Sequence, residues 1–366
     1  MTASVDGPRA RLLLMVPAVV VLILGITAGL LLLGLRVPTV TERLPDLHAP
    51  LMVFGFVGTL ISLERAVALR AGWAYAAPLL LVSGAVLTVS PLPLLVGQVL
   101  IVVGSGVHLS QYRAIWRRQP ATATAIQALG AASALVASIV WSGGVSAAFL
   151  VPLLAVFLVL TIAGERLELA RVAAPGVVAE RVFFGGALAL ATAAVLTLTA
   201  PGVAVPAAGA LLIGVAAWLI RFDVARVTVH QRGLPRYVAV NLLLGYGWLI
   251  VAGTGWLLGG ARTVGALYDA TTHAIFLGFV ITLIMAHAPL ILPAVLRVRI
   301  PYHPALYVAV AVLHLSLLVR VVIGDAWDNV LAVQLGGVGS VVAIVMFGVT
   351  VVTVSVIARH REKERT

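Results

Sequence analysis

The chain has no cysteine anywhere in its 366 residues. That excludes disulfides, iron–sulfur clusters and thiolate metal sites, so any metal must be held by histidine, carboxylate, methionine or backbone. Charge is nearly as scarce, at 10% of residues, with 13 acidic groups and a single lysine among 24 basic ones. Against this, 62% of the chain is hydrophobic and the mean hydropathy is +1.14. Such a chain lacks the polar surface to cover itself, and its solvent must be lipid.

What it does have is long apolar runs. A helix spanning the hydrocarbon core needs ~20 apolar residues. Twelve runs qualify: 12–35, 48–68, 73–90, 92–112, 122–141, 145–163, 182–199, 203–220, 237–258, 268–294, 303–323 and 330–357. The connections are too short for a separate soluble domain, so residues 1–366 read as one twelve-helix membrane domain. The first run is too long for a signal-peptide core and has no small-residue cleavage site, which predicts a retained helix. A cytoplasmic amino terminus places twenty of the twenty-four basic residues inside, from Arg9 and Arg11 to Arg359, Arg361, Lys363 and Arg365. Only Arg36, Arg43 and Arg262 fall outside, with Arg320 near the outer end of its span. The bias predicts both termini cytoplasmic. The net charge of +11 then reflects topology and contact with anionic lipid, and gives no support to nucleic-acid binding. Arginine in place of lysine, with abundant Ala, Val and Gly, suggests a bacterium with a GC-rich genome.

Parts of the chain repeat. "GFVGTLI" (55–61) and "GFVITLI" (278–284) match at six of seven positions at an offset of 223. At an offset of 101, Phe56 meets Phe157, Ile61 meets Ile162, Glu64-Arg65 meets Glu165-Arg166, and Arg70 meets Arg171. Spans two, six and ten thus share a pattern and an orientation. This implies three four-helix units around an axis along the membrane normal. Adjacent residues do not face each other on a helix, so Glu64-Arg65 and Glu165-Arg166 read as interface anchors or bridges to other helices.

Histidine position along each run gives depth, at ~1.5 Å per residue. His48 and His273 fall at one level near the outer end. His108 and His287 lie inward of the midplane, and His314 lies close to it. His273 and His287 are separated by ~21 Å along their helix but only ~40° around it, as expected for a helix serving two stacked sites. Haem iron takes axial nitrogens on both faces of a flat ring, so two facing helices must each offer an imidazole at one depth. His48 and His273 meet that requirement, with Gly55 and Gly278 available to form a slot. His287, with His108 or His314, is the candidate second site, for copper or another haem, since imidazole serves copper well. An interfacial His48 is equally read as a solvated or headgroup-contacting residue. His303 reads as a cap, His230 and His360 as solvated. Arg320 has two candidate partners, Asp325 or a haem propionate.

The outer start of span two reads His48-Ala49-Pro50-Leu51-Met52-Val53-Phe54-Gly55-Phe56. Its His-x3-Met-x-Phe pattern resembles the second helix of subunit I of haem–copper oxidases and nitric oxide reductases. The fuller His-Ala-x2-Met-x-Phe-Gly-Phe resembles the NnrS family, twelve-span bacterial haem- and copper-containing proteins linked to nitric oxide metabolism. The resemblance implies three four-helix arcs about a pseudo-threefold axis, with a haem b hung between His48 and His273 and with Met52 and Arg320 in its surroundings. Its departures are specific. Thr271-Thr272-His273 lacks the His-x-His of the oxidases, span six has no histidine, no His-His pair occurs near span seven, and Pro50 stands at a second histidine of NnrS. A terminal oxidase is therefore not expected.

These observations predict an all-α integral membrane haem protein of the bacterial cytoplasmic membrane. The resemblance implies a role in nitric oxide or nitrosative stress, or in electron exchange with quinol or another redox partner. Two rival classes remain: a twelve-span proton-coupled transporter, and a non-catalytic partner or assembly factor of a respiratory complex.

Overall fold

The computed structural model describes residues 8–170, 176–296 and 300–363, with side chains between residues 15 and 360 except 171–175 and 294–299. Of the basic residues that set the expected topology, Arg9, Arg11, Arg171, Arg297, Arg299, Arg361, Lys363 and Arg365 lie outside the described side chains. All regular structure among the described residues is helical. The helices are α1 (Pro8–Leu32), α2 (Pro45–Leu69), α3 (Gly72–Thr88), α4 (Leu94–Arg118), α5 (Thr122–Ser142) and α6 (Ala147–Ala170). Then follow α7 (Val177–Leu196), α8 (Pro201–Phe222), α9 (Leu234–Gly259), α10 (Ala266–Pro293), α11 (Leu306–Asp325) and α12 (Val330–Lys363).

Eleven of these helices are long and apolar enough to cross a membrane. The exception is α3, expected as a span over 73–90, which is a shorter apolar helix. It opens on a 3₁₀ turn, Gly72–Tyr75, before α-helical winding over Ala76–Thr88. Pro91 and Pro93 follow directly and bar its extension, because proline cannot donate the backbone bond that a further turn needs. At the other end of the preceding loop, α2 stops at Arg70, which takes the left-handed conformation (φ 51°) and donates its N–H to the Ala66 carbonyl.

The chain forms two compact units, residues 1–165 and 166–366. In the first, α3 and α4 approach backbone to backbone: a Cβ on Gly84 would lie 2.7 Å from the Gly97 carbonyl oxygen, and one on Gly97 would lie 2.6 Å from that of Gly84. The second repeats the device between α8 and α9, where a Cβ on Gly253 would lie 2.8 Å from the Gly209 carbonyl oxygen. Lipid offers no hydrophobic drive between helices, so close backbone packing at small residues supplies the association. A buried cluster of Tyr237, Met285, Leu306, Leu313 and Ala343 ties α9 to α12 within the second unit.

Besides the 3₁₀ turns at Pro45–Leu47 and Gly72–Tyr75, winding departs from α in three places among the described residues. Leu51–Gly58 of α2, Ala274–Ile281 of α10 and Val319–Asp325 of α11 are π-helical. The first two are displaced by 223 residues from end to end, the offset of the sequence match. The match thus reflects a shared irregularity of backbone as well as shared apolar composition. The corresponding stretch of α6 is ordinary α-helix. In the register of the two π segments His48 aligns with Thr271, and His273 with Pro50. The two histidines therefore stand two positions apart, ~200° around equivalent helices.

Candidate functional site: two anchored histidines

His48 sits at the start of α2, three residues before its π segment. Its Nδ1 is 2.7 Å from the Gly25 carbonyl of α1. A carbonyl only accepts, so Nδ1 carries the proton and the lone pair is on Nε2. The seat is built by two glycines one turn apart on α1. A Cβ on Gly29 would lie 2.9 Å from His48 Cε1, and one on Gly25 would lie 2.7 Å from Met52 Sδ. Met52, four residues after His48 and on the same helix face, is thus spent on the α1 contact beside the imidazole.

His273 closes the α-helical start of α10, immediately before the matching π segment. Its Nδ1 lies 2.9 Å from the Asp269 carbonyl and 3.1 Å from the Asp269 carboxylate, one turn back. Both partners are acceptors, so this ring also keeps its proton on Nδ1 and its lone pair on Nε2. Asp269 is in turn gripped by Arg320, whose Nε and Nη2 each lie 2.7 Å from one carboxylate oxygen. Of the two partners expected for Arg320, Asp325 does not take the fork: Asp269 does. Asp325 lies beside Asp269, and its Oδ2 has no partner among the described residues. Arg320 belongs to the surroundings of His273 through Asp269, a residue that sequence reasoning passed over although its i, i+4 spacing to His273 was in view.

The glycines expected to open a slot do something else. A Cβ on Gly55 would lie 2.6 Å from both Ala85 and Val21, so Gly55 lets α1 and α3 close on α2. Gly278 makes room for the Trp248 ring. Trp248 then donates its indole N–H to His314 Nδ1 at 2.9 Å, with the two rings nearly parallel.

That bond decides the chemistry of His314. Indole N–H is a donor only, so Nδ1 holds the lone pair and Nε2 holds the proton. A ring ligating metal through Nε2 would carry its proton on Nδ1, against the Trp248 donor. His314 does not fit a metal site. His287 donates from Nδ1 to the Leu283 carbonyl (2.8 Å), and its Nε2 lies 3.5 Å from Arg166 Nη1. A guanidinium on the lone-pair side is an obstacle to a metal cation, so His287 does not fit one either. No three His, Cys, Asp or Glu side chains gather into a metal-binding group among the described residues.

The group around His287 is a buried ion pair. Arg166 Nε and Nη2 lie 2.7 Å from the two oxygens of Asp223, which also accepts from the Tyr246 hydroxyl (2.5 Å) and the Ala225 N–H (2.8 Å). Burial pushes the Asp223 carboxyl up, but Arg166, Tyr246 and the Ala225 amide outweigh it and hold it below the ordinary carboxylate range. The pair's contribution is therefore fully present above about pH 4 and is lost only as pH falls through the lower folded value. In the first unit Arg65 bridges to Glu165 and Glu64. Glu165 and Arg166, neighbours in sequence, thus have different partners, whereas the adjacent Glu64 and Arg65 meet each other at 3.5 Å.

Residues 11–356 match the model of a family described as Domain of unknown function (DUF8744). The chain belongs to that family. No curated protein and no solved structure matches it. Family membership covers nearly the whole helical region and brings no named activity, so the chemistry must be argued from the residues themselves.

Proposed function

We propose that the chain is an integral membrane haem-binding protein of the bacterial cytoplasmic membrane, with His48 and His273 as axial ligands of a haem b. On this reading its helices form twelve spans in three four-helix units, with both termini cytoplasmic. Its role is in nitric oxide or nitrosative-stress handling, or in membrane electron exchange with quinol or another redox partner. The supporting observation is the shared state of the two rings. Each stands at the mouth of a π-helical segment, and each is anchored by Nδ1 so that Nε2 offers the lone pair. An imidazole held this way by a backbone carbonyl or carboxylate is fixed in tautomer and orientation, as metal-ligating histidines are. π segments inside α-helices are rare and concentrate at functional sites.

A bound haem supplies one-electron exchange, or a seat for a diatomic ligand where one axial ligand can leave. The chain's own residues supply the rest. The Gly25 carbonyl and the Gly25–Gly29 seat fix the His48 ring. Asp269 fixes the His273 ring and lends it negative charge, which raises its strength as a donor. Arg320 neutralises Asp269, a carboxylate that would be costly in lipid without a partner. The second-site copper has no such support, and no step is assigned to it.

The test is the dithionite-reduced minus oxidised visible spectrum of the purified protein, with His48→Ala and His273→Ala beside it. A b-type α band lost in both variants is expected. A colourless wild-type protein, expressed with ample haem, sinks the reading. The proton-coupled transporter would then lead, because irregular helices within spans also mark carrier sites.

A further inference from the structure

We infer that the first unit contains an enclosed site for water, built on His108, Thr59, Ser105 and Tyr112. All four side chains are at least 98% buried. Four of their polar atoms, His108 Nε2, Thr59 Oγ1, Ser105 Oγ and Tyr112 Oη, have no hydrogen-bond partner among the described residues. Native structures leave few such atoms, and a group of them is the signature of bound solvent. In hydrocarbon, where each orphan is costly, the argument is stronger still.

Helix register brings these residues to neighbouring depths. Gln111 donates both its amide protons, to the Ser62 carbonyl of α2 (3.0 Å) and the Ala74 carbonyl of α3 (2.9 Å). Its amide orientation is thereby fixed, and Oε1 faces His108 Nδ1 at 2.8 Å. Nδ1 must donate, so Nε2 is a lone-pair acceptor. The same bonds fix the register of α4 against α2. These helices run in one direction, since α3 returns between them. Three residues before Ser62 is Thr59, and three before Gln111 is His108, so both lie one turn (~4.5 Å) along from the Gln111 bond and at the same level. Ser105 is one turn further along the face of His108. Tyr112 packs edge-on to His108, with ring centroids 5.2 Å apart. Its hydroxyl lies near Thr161, whose own proton goes to the Phe157 carbonyl at 2.7 Å.

The internal repeat supplies a control. The counterpart of Thr59 at offset 223 is Thr282, at the same position behind the second π segment. Thr282 donates to the Leu277 carbonyl five residues back, while Thr59 has no such bond. One hydroxyl closes on its own helix and the other is left for a guest. An acceptor nitrogen with three hydroxyls suits water, which both donates and accepts. It does not suit an apolar guest, which would leave His108 Nε2 and the hydroxyls of Thr59 and Ser105 unpaired.

The experiment uses the full chain in lipid bilayers with ¹⁵N-labelled histidine. His108 is assigned by the resonance lost in His108→Phe, and a cross-peak from its unprotonated Nε2 to water protons is sought. Thr59→Val, which keeps shape and removes the hydroxyl, is measured alongside by thermal unfolding. A water cross-peak and a lowered Tm for Thr59→Val are expected. A folded wild type without that cross-peak overturns the proposal. So does a Thr59→Val Tm equal to or above wild type, because deleting a hydroxyl that has no partner in a dry core is neutral or stabilising.

Discussion

At the scale of single residues, Asp269 carries the most consequence. It holds the His273 ring by both carbonyl and carboxylate, and it is the whole of the fork that Arg320 makes. Asp269→Asn keeps the carbonyl bond but removes the charge. Two effects are expected, and they separate its roles. Stability falls by about 1.5–3 kcal/mol, the range for hydrogen bonds to charged groups, because Arg320, 6% exposed, loses its ionised fork partner and keeps only the neighbouring Asp325. On the proposed haem reading, the α band persists but its midpoint potential rises, because His273 becomes a weaker donor. Adding Arg320→Gln should restore much of the stability and leave the potential raised. An unchanged potential in Asp269→Asn would show that the carboxylate is a structural partner only. Residue chemistry was partly legible in the sequence. His48 and His273 were singled out by depth, whereas Asp269 went unread although its i, i+4 spacing to His273 is in the sequence. The tautomer of His314 was not legible, since it is set by Trp248, 66 residues away. Nor was the role of Gly278, which yields space to that same indole.

At the scale of elements, apolar run length located nearly every helix, because lipid leaves a spanning segment no alternative to helix. What run length cannot report is winding. The two π segments run into a sequence match that composition alone made unremarkable, and only the backbone reveals that the matching words share an irregular turn. Helix contacts were equally hidden, since glycine is common in membrane helices and the sequence does not separate the glycines that meet a neighbour from those, such as Gly185 and Gly214, that meet nothing. The difference is measurable on α8. A Cβ on Gly209 would collide with the backbone of α9 near Gly253 and Leu257, whereas one on Gly214 meets nothing within 4 Å. Gly209→Ala is expected to cost about 1–3 kcal/mol, the usual penalty of overpacking a close contact, and to lower Tm in detergent. Gly214→Ala should leave Tm unchanged within about 0.5 kcal/mol, as for a surface change. Equal effects would mean that α8 and α9 do not meet along this face.

At the scale of the whole molecule, one short helix governs the topology. Eleven helices are long enough to span, an odd number, which alone would put the termini on opposite sides. A crossing α3 would make twelve and return both termini to one side, as the distribution of basic residues predicts. α3 is short because a 3₁₀ turn begins it and prolines end it, yet its partnership with α4 through Gly84 and Gly97 gives it a long neighbour to lie against. A helix shorter than the hydrocarbon thickness is accommodated by local thinning of the bilayer at modest cost, so length alone does not disqualify it. The absence of cysteine turns this into a clean measurement, because any introduced thiol is the only one in the chain. Ala71→Cys, before α3, and Leu92→Cys, after it, are placed in separate variants and treated with a membrane-impermeant maleimide on intact cells and on inverted vesicles. If α3 crosses, Leu92→Cys is labelled on cells and Ala71→Cys on inverted vesicles. If both react from the same side, α3 re-enters without crossing, every later helix reverses its direction, and the common orientation of α2 and α10 that the proposed haem site requires is ruled out.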